Sequence, residues 1–491
     1  MRRRQFLIGV AAGVAAAVAA PFWERWRSPG PAARQGVRLD TTADLSTKLL
    51  ASSPMPVFGT PRRVGSRDVT VDTAQTFQPF LGVGAALTDA AAYVLTRYMT
   101  AAQRRALLTE MFAPPPVGHG WSVLRVCIGS SDFRSELVGY TYDDLPAGQS
   151  DPAMAQFSVA RDNAYIIPVI REILAVNPSV RILATPWTPP AWMLASGTFE
   201  GLGGTFRSSD MGAYALYLVK FIQTYEAAGI PIWAITCQNE PIAGGAFIAF
   251  SVSQQESFIG GHLVPALAAA GLSPKIFVLD DQWSNASYGE QVASNSGSGP
   301  HVAGFAWHGY TGGPSAMTSA HSRHPAAEHH LTEWRSLISE SLATQMATTA
   351  GGYCAQGVAN WAQSVILWNL ALDQNGAPNH NKPGRLGVVT VDNATGAVRP
   401  RTGYYALTHL AVSAQPGAVR CASTTYGPAY EAYSVYPSDL TTAALVNPDG
   451  SRVLYVYNGR ASAVSFQIID KARGEAVRVT MAAGELSTFT W

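Results

Sequence analysis

Between Val37 and about residue 391 the chain alternates short apolar runs with longer segments whose apolar positions recur every three or four residues, the pattern of a repeated strand-and-helix unit. Eight runs read as strands: "FLGVGAALTD", "SVLRVCIGSSD", "RILATPWTPPAW", "PIWAITCQNEP", "KIFVLDDQWSN", "HVAGFAWHGY", "HHLTEWRS" and "SVILWNLALD". Between them, "YIIPVIREILAVN" and "MGAYALYLVKFIQTYEAAG" read as helices that stop at Asn177 and Gly229. Eight such units predict an α/β fold, a (β/α)8 TIM barrel over residues 77–391. A doubly wound open sheet would need a glycine-rich phosphate loop opening a helix, and no such loop follows any of the eight strands.

Beyond residue 392 the texture changes to short alternating stretches, "AYSVYPS", "TAALVNPD", "RVLYVYNG", "SAVSFQIID", "AVRVTMAAG" and "LSTFTW", parted by Gly, Asn and Asp turns. This predicts an antiparallel β-sandwich over residues 392–491. "RDVTVDTAQTF" has the same texture, so residues 38–76 are expected to join the sandwich from the other end of the chain. Residues 1–20 read as a twin-arginine-type export signal: Arg3 and Arg4 precede Phe6 and Leu7, and an Ala/Val run leads to an Ala17-Val18-Ala19 cleavage site. Its apolar part is shorter than the roughly 20 residues a membrane span needs, and no later segment resembles a span. Residues 21–37, rich in Pro, Gly and Arg, read as a linker. The expected location is periplasmic or extracellular.

A length of 491 residues accommodates this large domain and smaller companion. The formal charge of +1, with only 14% charged residues, supplies no long-range attraction to nucleic acid or anionic lipid, so a neutral substrate such as a carbohydrate fits best. Four cysteines, Cys127, Cys237, Cys354 and Cys421, form neither a disulfide framework nor a zinc spacing. No metal and no cofactor is expected, and the oligomeric state is unread.

In a (β/α)8 barrel the C-terminal strand ends build the active site. Those ends offer Arg125, Asp132, Trp187, Asn239, Glu240, Asp280, Asp281, Trp283, His308, Tyr310, Glu333 and Trp368, among others. Glu240 follows strand four and Glu333 strand seven, across the mouth from each other, and two carboxylates flanking an acetal are the equipment of glycoside hydrolysis. Asn239 could bond a sugar hydroxyl and Asp132 two; Trp187 and Trp368 would offer flat apolar faces to a sugar ring. If Arg125 and Tyr310 converge on Glu333 they favour its ionised form, leaving Glu240 to hold a proton. Taken singly, each residue has an ordinary structural use: Glu before Pro ends strands, tryptophans fill cores, and Arg125 with Asp132 could be an ion pair.

Two other classes compete. "HSRHPAAEHH", with His321, His324, His329 and His330, suggests a metal-dependent hydrolase, but the histidines precede strand seven and lack the HExxH spacing. A non-catalytic carbohydrate-binding protein would be expected to lack one carboxylate, and both are present.

The chain resembles glycoside hydrolase family 30, the retaining β-glycosidases that include glucosylceramidases, from about Phe77 to Asp392 and through the sandwich. The match is carried by "FLGVGAALTDAAA", "LRVCIGSSDFRSELVGYTYDDLP", "FSVARDNAYIIPVI", "ILATPWTPPAWM", "WAITCQNEP", "WHGY", "LTEW" and "WNLALDQNGAPN". The resemblance implies a barrel with a side β-sandwich and double displacement, with Glu240 as acid/base and Glu333 as nucleophile about 5 to 5.5 Å apart. It also implies a glycone site lined by Arg125, Asp132, Trp187, Asn239, His308, Tyr310 and Trp368. β-Glucosides, β-1,6-glucan, glucosylceramide and β-xylosides are the substrates it allows. Leu194 after "PPAWM", Trp334 after Thr-Glu, and "HNKPG" after "GAPN" depart from the family pattern and are expected at the outer, aglycone part of the site.

Overall fold

Eight parallel strands close into a barrel in the computed structural model. They are β1 (Gly82–Leu87), β2 (Val123–Ile128), β3 (Arg181–Pro186), β4 (Ala234–Thr236), β5 (Lys275–Gln282), β6 (Val302–His308), β7 (Glu328–Glu333) and β8 (Ser364–Leu367). Seven lie inside one of the expected runs, and β7 begins one residue before its run, at Glu328. The structure describes residues 36–51, 55–62, 65–198, 204–242 and 248–491. The expected export signal, and the linker as far as residue 35, lie outside the described residues.

Side chains in a strand alternate between faces, so residues two apart share one face. Val123, Leu183, Ala234, Phe277, Ala306 and Ile366 meet inside the barrel as a buried apolar plug. Two positions further along β2, β3, β4 and β6, and just past the end of β8, the same inward face therefore carries Arg125, Thr185, Thr236, His308 and Trp368. The alternation that fills the barrel floor thus also delivers the groups at its mouth. In β5 the step is three: a register shift against β6 falls between Leu279 and Asp281, and both Leu279 (φ 75°) and Asp280 (φ 46°) are left-handed. A bulge of this kind re-aims a side chain, here Asp280.

Both expected helices form, Ile166–Val176 and Met211–Ala227, and the second buries Tyr214, Tyr217, Leu218, Phe221, Ile222 and Tyr225 on one face. The helix Thr402–Ala411, inside the range that the sequence assigns to the sandwich, follows β8 and packs between the two domains. Leu367 of β8 crowds Gly403, while His409 bonds Thr41 and Thr488 at 2.9 Å each. All ten of its residues are buried, so it has no polar stripe and no helical period to read.

Nine strands form the second sheet, in the order Leu50–Ala51, Val37–Thr41, Leu486–Thr490, Arg452–Asn458, Leu440–Val446, Val419–Ser423, Val69–Pro79, Val464–Asp470 and Glu475–Met481. Residues from both halves, among them Val71, Leu454, Val456, Phe466, Ile468, Val477 and Phe489, share one apolar core, as in a sandwich. Pairing is antiparallel except between Val69–Pro79 and Val464–Asp470. One expectation fails here, and one strand has no counterpart among the expected runs. "AYSVYPS" is no strand but a turn closed by a Glu431–Val435 bridge, in which Tyr433 has φ 60°. The short "VRCAS", Val419–Ser423, is a strand with no alternation strong enough to show itself.

Among the described residues no helix is long and apolar enough to cross a membrane. All four cysteines are free and buried.

Candidate active site

Strand register sets the first row of the site. Gln282 pairs with His308 and His308 with Glu333, so three polar side chains on β5, β6 and β7 stand level at the mouth. Glu240 reaches the same level from the loop after β4, where its left-handed backbone (φ 45°) is fixed by its N–H donating to the carbonyl of Asp280 at 2.9 Å. A non-glycine residue held in that region stores strain, a recurrent property of catalytic positions.

Glu333 is gripped on both oxygens. Arg125 Nη1 donates to Oε2 at 2.5 Å and the Tyr310 hydroxyl donates to Oε1 at 3.0 Å. Arg125 Nη2 donates in addition to Asn239 Oδ1 at 2.8 Å and Asp280 Oδ2 at 2.9 Å. Glu240 Oε1 receives Gln282 Nε2 at 2.8 Å and faces His308 Nδ1 at 3.0 Å. The other ring nitrogen of His308 lies 3.1 Å from Asp280 Oδ1. An oxygen of Glu240 and one of Glu333 lie within 4.8 Å of each other, His308 lying between them. Retaining glycosidases hold their carboxyl groups about 5–5.5 Å apart and inverting ones about 6.5–9.5 Å, so this pair suits direct attack better than an interposed water.

Asp280 is the group that sequence reasoning passed over. It was visible only as one of several polar strand-end residues, and the signal that sets it apart is an Asp-Asp pair where an apolar strand should continue. Completely buried, it takes hydrogen bonds from Arg125, Thr236 (2.8 Å) and Thr332 (2.9 Å) as well as facing His308. Burial alone would push its carboxyl up; Arg125 and His308 outweigh this and hold it well below the usual range.

His308 enters the charge balance of the pair. Burial pushes Glu240 up, but the hydrogen bond and charge of His308, with Arg125, leave its carboxyl below the ordinary value. Burial pushes His308 down, yet Glu333, Asp280 and Glu240 together raise it to about 10. This balance favours a protonated His308 beside an ionised Glu240, whereas the sequence reading leaves the proton on Glu240. The strand-end pattern brings Arg125 and Tyr310 to Glu333 but does not place the imidazole beside Glu240.

Asp132 stands near enough to both carboxylates to feel their charge. Burial, with the charges of Glu333 and Glu240, raises it to about 7 against the opposing pull of Lys382. Trp187 and Trp368, expected as open platforms, are only 4% and 3% exposed. They stack on each other at 5.0 Å and lie over Arg125 at 5.0 and 5.5 Å, so much of their surface is used to hold the guanidinium. Trp334 does not line the outer site: it is fully buried behind Tyr310, its Nε1 donating to Thr349 at 3.2 Å. Leu194 is also fully buried and so lies away from an outer rim, whereas "HNKPG" is half-exposed to exposed and the N–H of its His380 donates to the carbonyl of Asp132 at 2.8 Å.

Among the described residues, Glu240, His308 and Glu333 are the one set of side chains grouped closely enough to hold a metal ion. Arg125, Tyr310 and Gln282 already engage those carboxylate oxygens, so a cation would have to displace them. His329 and His330 do not precede the strand but lie within β7, buried and toward its start. His329 accepts from Trp307 at 3.2 Å, and His330 faces Ser364 at 2.9 Å.

This geometry coincides with a family assignment. The pattern described as the glycosyl hydrolase family 30 TIM-barrel domain matches residues 80–413, and that of the family's beta sandwich domain matches 417–485. The chain belongs to glycosyl hydrolase family 30. It is a glycoside hydrolase. An endo-1,6-beta-D-glucanase of Neurospora crassa is 31% identical over 437 residues, covering 85% of this chain and 87% of the relative. The lysosomal acid glucosylceramidase of Mus musculus is 28% identical over 436 residues, covering 83% and 80%. Among solved structures, an endo-β1,6-glucanase superposes with a TM-score of 0.81 at 28% identity, covering 93% of this chain and 99% of its own.

Proposed function

We propose that this family 30 hydrolase cleaves β-glucosidic bonds with retention of configuration, that β-1,6-linked glucan is its substrate, and that Glu333 is the nucleophile and Glu240 the acid/base. The observation that carries the mechanism is the pair of carboxyl oxygens within 4.8 Å, with Arg125 and Tyr310 aiming one carboxylate and His308 beside the other. Glu333 attacks the anomeric carbon as the bond to the leaving oxygen breaks, and Glu240 gives that oxygen a proton. Glu240 then takes a proton from water, whose oxygen displaces Glu333 from the glycosyl ester.

His308 supplies a source for the first proton. The negative charge of Glu333 is the largest influence holding its pKa up, and that charge disappears as Glu333 becomes an ester. The Nδ1 proton, 3.0 Å from Glu240, becomes easier to give up at the moment the leaving group needs it.

The glucan substrate rests on the endo-1,6-glucanase relatives, of which one is 31% identical over most of both chains. A glucosylceramide substrate is the second reading, favoured by glucosylceramidase relatives such as that of Mus musculus at 28% identity. Comparing initial rates on β-1,6-glucan and on glucosylceramide in detergent separates the two, and NMR of the first-formed anomer tests retention. A product that first appears as the α-anomer would refute the covalent mechanism. The Arg3-Arg4 signal supports export to the periplasm or exterior, which fractionation of the native host's cells checks.

A further inference from the structure

The turn Glu431–Val435, read from sequence as a strand, belongs to the sandwich yet reaches the barrel mouth. It docks where Gly312 and Gly313 follow Tyr310: Ala432 N–H donates to the Gly312 carbonyl at 2.9 Å, and a Cβ on Gly313 would come within 2.2 Å of the Tyr430 carbonyl. Only a glycine permits that approach.

At the tip of the turn Tyr433 is held with φ 60°, a conformation a bulky side chain rarely adopts, and the residue is 43% exposed. Its hydroxyl accepts a hydrogen bond from Arg335 Nη1 at 2.7 Å. The Arg335 guanidinium lies over the ring of Tyr310, 4.9 Å from its centroid. The Tyr310 hydroxyl is the donor that holds Glu333 Oε1 at 3.0 Å. Three successive contacts therefore lead from a strained sandwich residue to the carboxylate that attacks the sugar.

We propose that Tyr433 and Arg335 are positioning residues: the sandwich, through the hydroxyl of Tyr433, fixes the Arg335 guanidinium over Tyr310 and so fixes the donor that orients Glu333. The strain at Tyr433 and the glycine dock have a purpose on this account, since a loop free to relax could not hold a guanidinium in one place. The inference rests on the reading of Glu333 as nucleophile.

Glu333 can be monitored directly with a 2-deoxy-2-fluoroglucosyl fluoride, which traps the glycosyl ester. Tyr433→Phe keeps the ring and removes only the hydroxyl; its trapping rate constant should fall about 3- to 10-fold, the effect of one hydrogen bond, with the reagent's binding constant unchanged. Arg335→Met should act in the same direction and serves if Tyr433→Phe fails to fold, as judged by thermal melting. The deciding measurement is non-additivity. If the influence passes through Tyr310, then Tyr310→Phe/Tyr433→Phe should be no slower than Tyr310→Phe alone. A wild-type trapping rate, additive losses, or a change confined to the binding constant would each overturn the proposal, the last making Tyr433 a substrate contact. Mass spectrometry of the trapped protein tests the underlying reading separately: a label on a residue other than Glu333 refutes the nucleophile assignment whatever the Tyr433 variant does.

Discussion

Arg125 Nη1 lies 2.5 Å from Glu333 Oε2, and the same guanidinium bonds Asp280 at 2.9 Å, with Arg125 and Asp280 wholly buried. One cation thus separates two anions at the base of the site. Replacing it by Met should leave both carboxylates uncompensated and cost about 3–5 kcal/mol of unfolding free energy. Loss of the donor on Glu333 should also lower kcat/KM on an aryl β-glucoside by about 10²- to 10³-fold. Denaturant melts and steady-state kinetics of Arg125→Met check both; a variant as stable as wild type would mean that Asp280 takes up a proton without cost.

The two carboxylates should fail in different ways. Glu333→Ala should be inactive on all β-glucosides and recover with azide to give an α-glucosyl azide, because azide attacks from the side that the nucleophile vacates. Glu240→Ala should retain most activity on substrates with excellent leaving groups, and azide should yield the β-glucosyl azide. Product anomers read by NMR decide the assignment, and the opposite pairing would exchange the roles of Glu240 and Glu333.

If His308 is the source of the first proton, its value depends on how much the leaving oxygen needs one. His308→Gln should lower kcat/KM by about 10²-fold for alkyl β-glucosides, within the usual range for acid catalysis, and by much less for a dinitrophenyl β-glucoside. A steeper dependence of log(kcat/KM) on leaving-group pKa than in wild type is the expected signature. Equal losses across the series would reduce His308 to a structural partner of Asp280.

The barrel and most of this site were legible because a period-two strand pattern fixes which residues share the inward face. Arg125, His308 and Trp368 were therefore found by position alone. Asp280 escaped because a bulge breaks that period by one residue, and a bulge has no fixed sequence signature. The pull of the site on a His308 proton was hidden for a different reason. It depends on three carboxylates lying around one imidazole, brought together from three loops and strands far apart in the chain. Trp334 was misplaced because adjacent residues at a strand end point opposite ways: Glu333 faces Arg125 and the Tyr310 hydroxyl, and Trp334 packs behind the Tyr310 ring.

Away from the site, Asp162 should make stability depend on pH with an unusual sign. It is almost completely buried; burial raises its carboxyl to about 7, although Tyr142 and Tyr225 each donate to Oδ2 at 2.5 Å and pull the other way. An unfolded Asp titrates near 4, so between about pH 4 and 7 the native protein binds a proton there that the unfolded chain has lost. Stability from this group is therefore full below pH 4 and lost progressively as pH rises to 7, by about 4 kcal/mol over the interval. Asp162→Asn keeps the shape and one acceptor oxygen without titrating. The difference in unfolding free energy between wild type and Asp162→Asn should accordingly move in favour of the variant as pH rises from 4 to 7, and stay flat above. Urea melts of both proteins at half-unit pH steps measure that difference with all other titrating groups cancelled; a difference independent of pH would show that the two tyrosine hydroxyls keep Asp162 ionised in the fold.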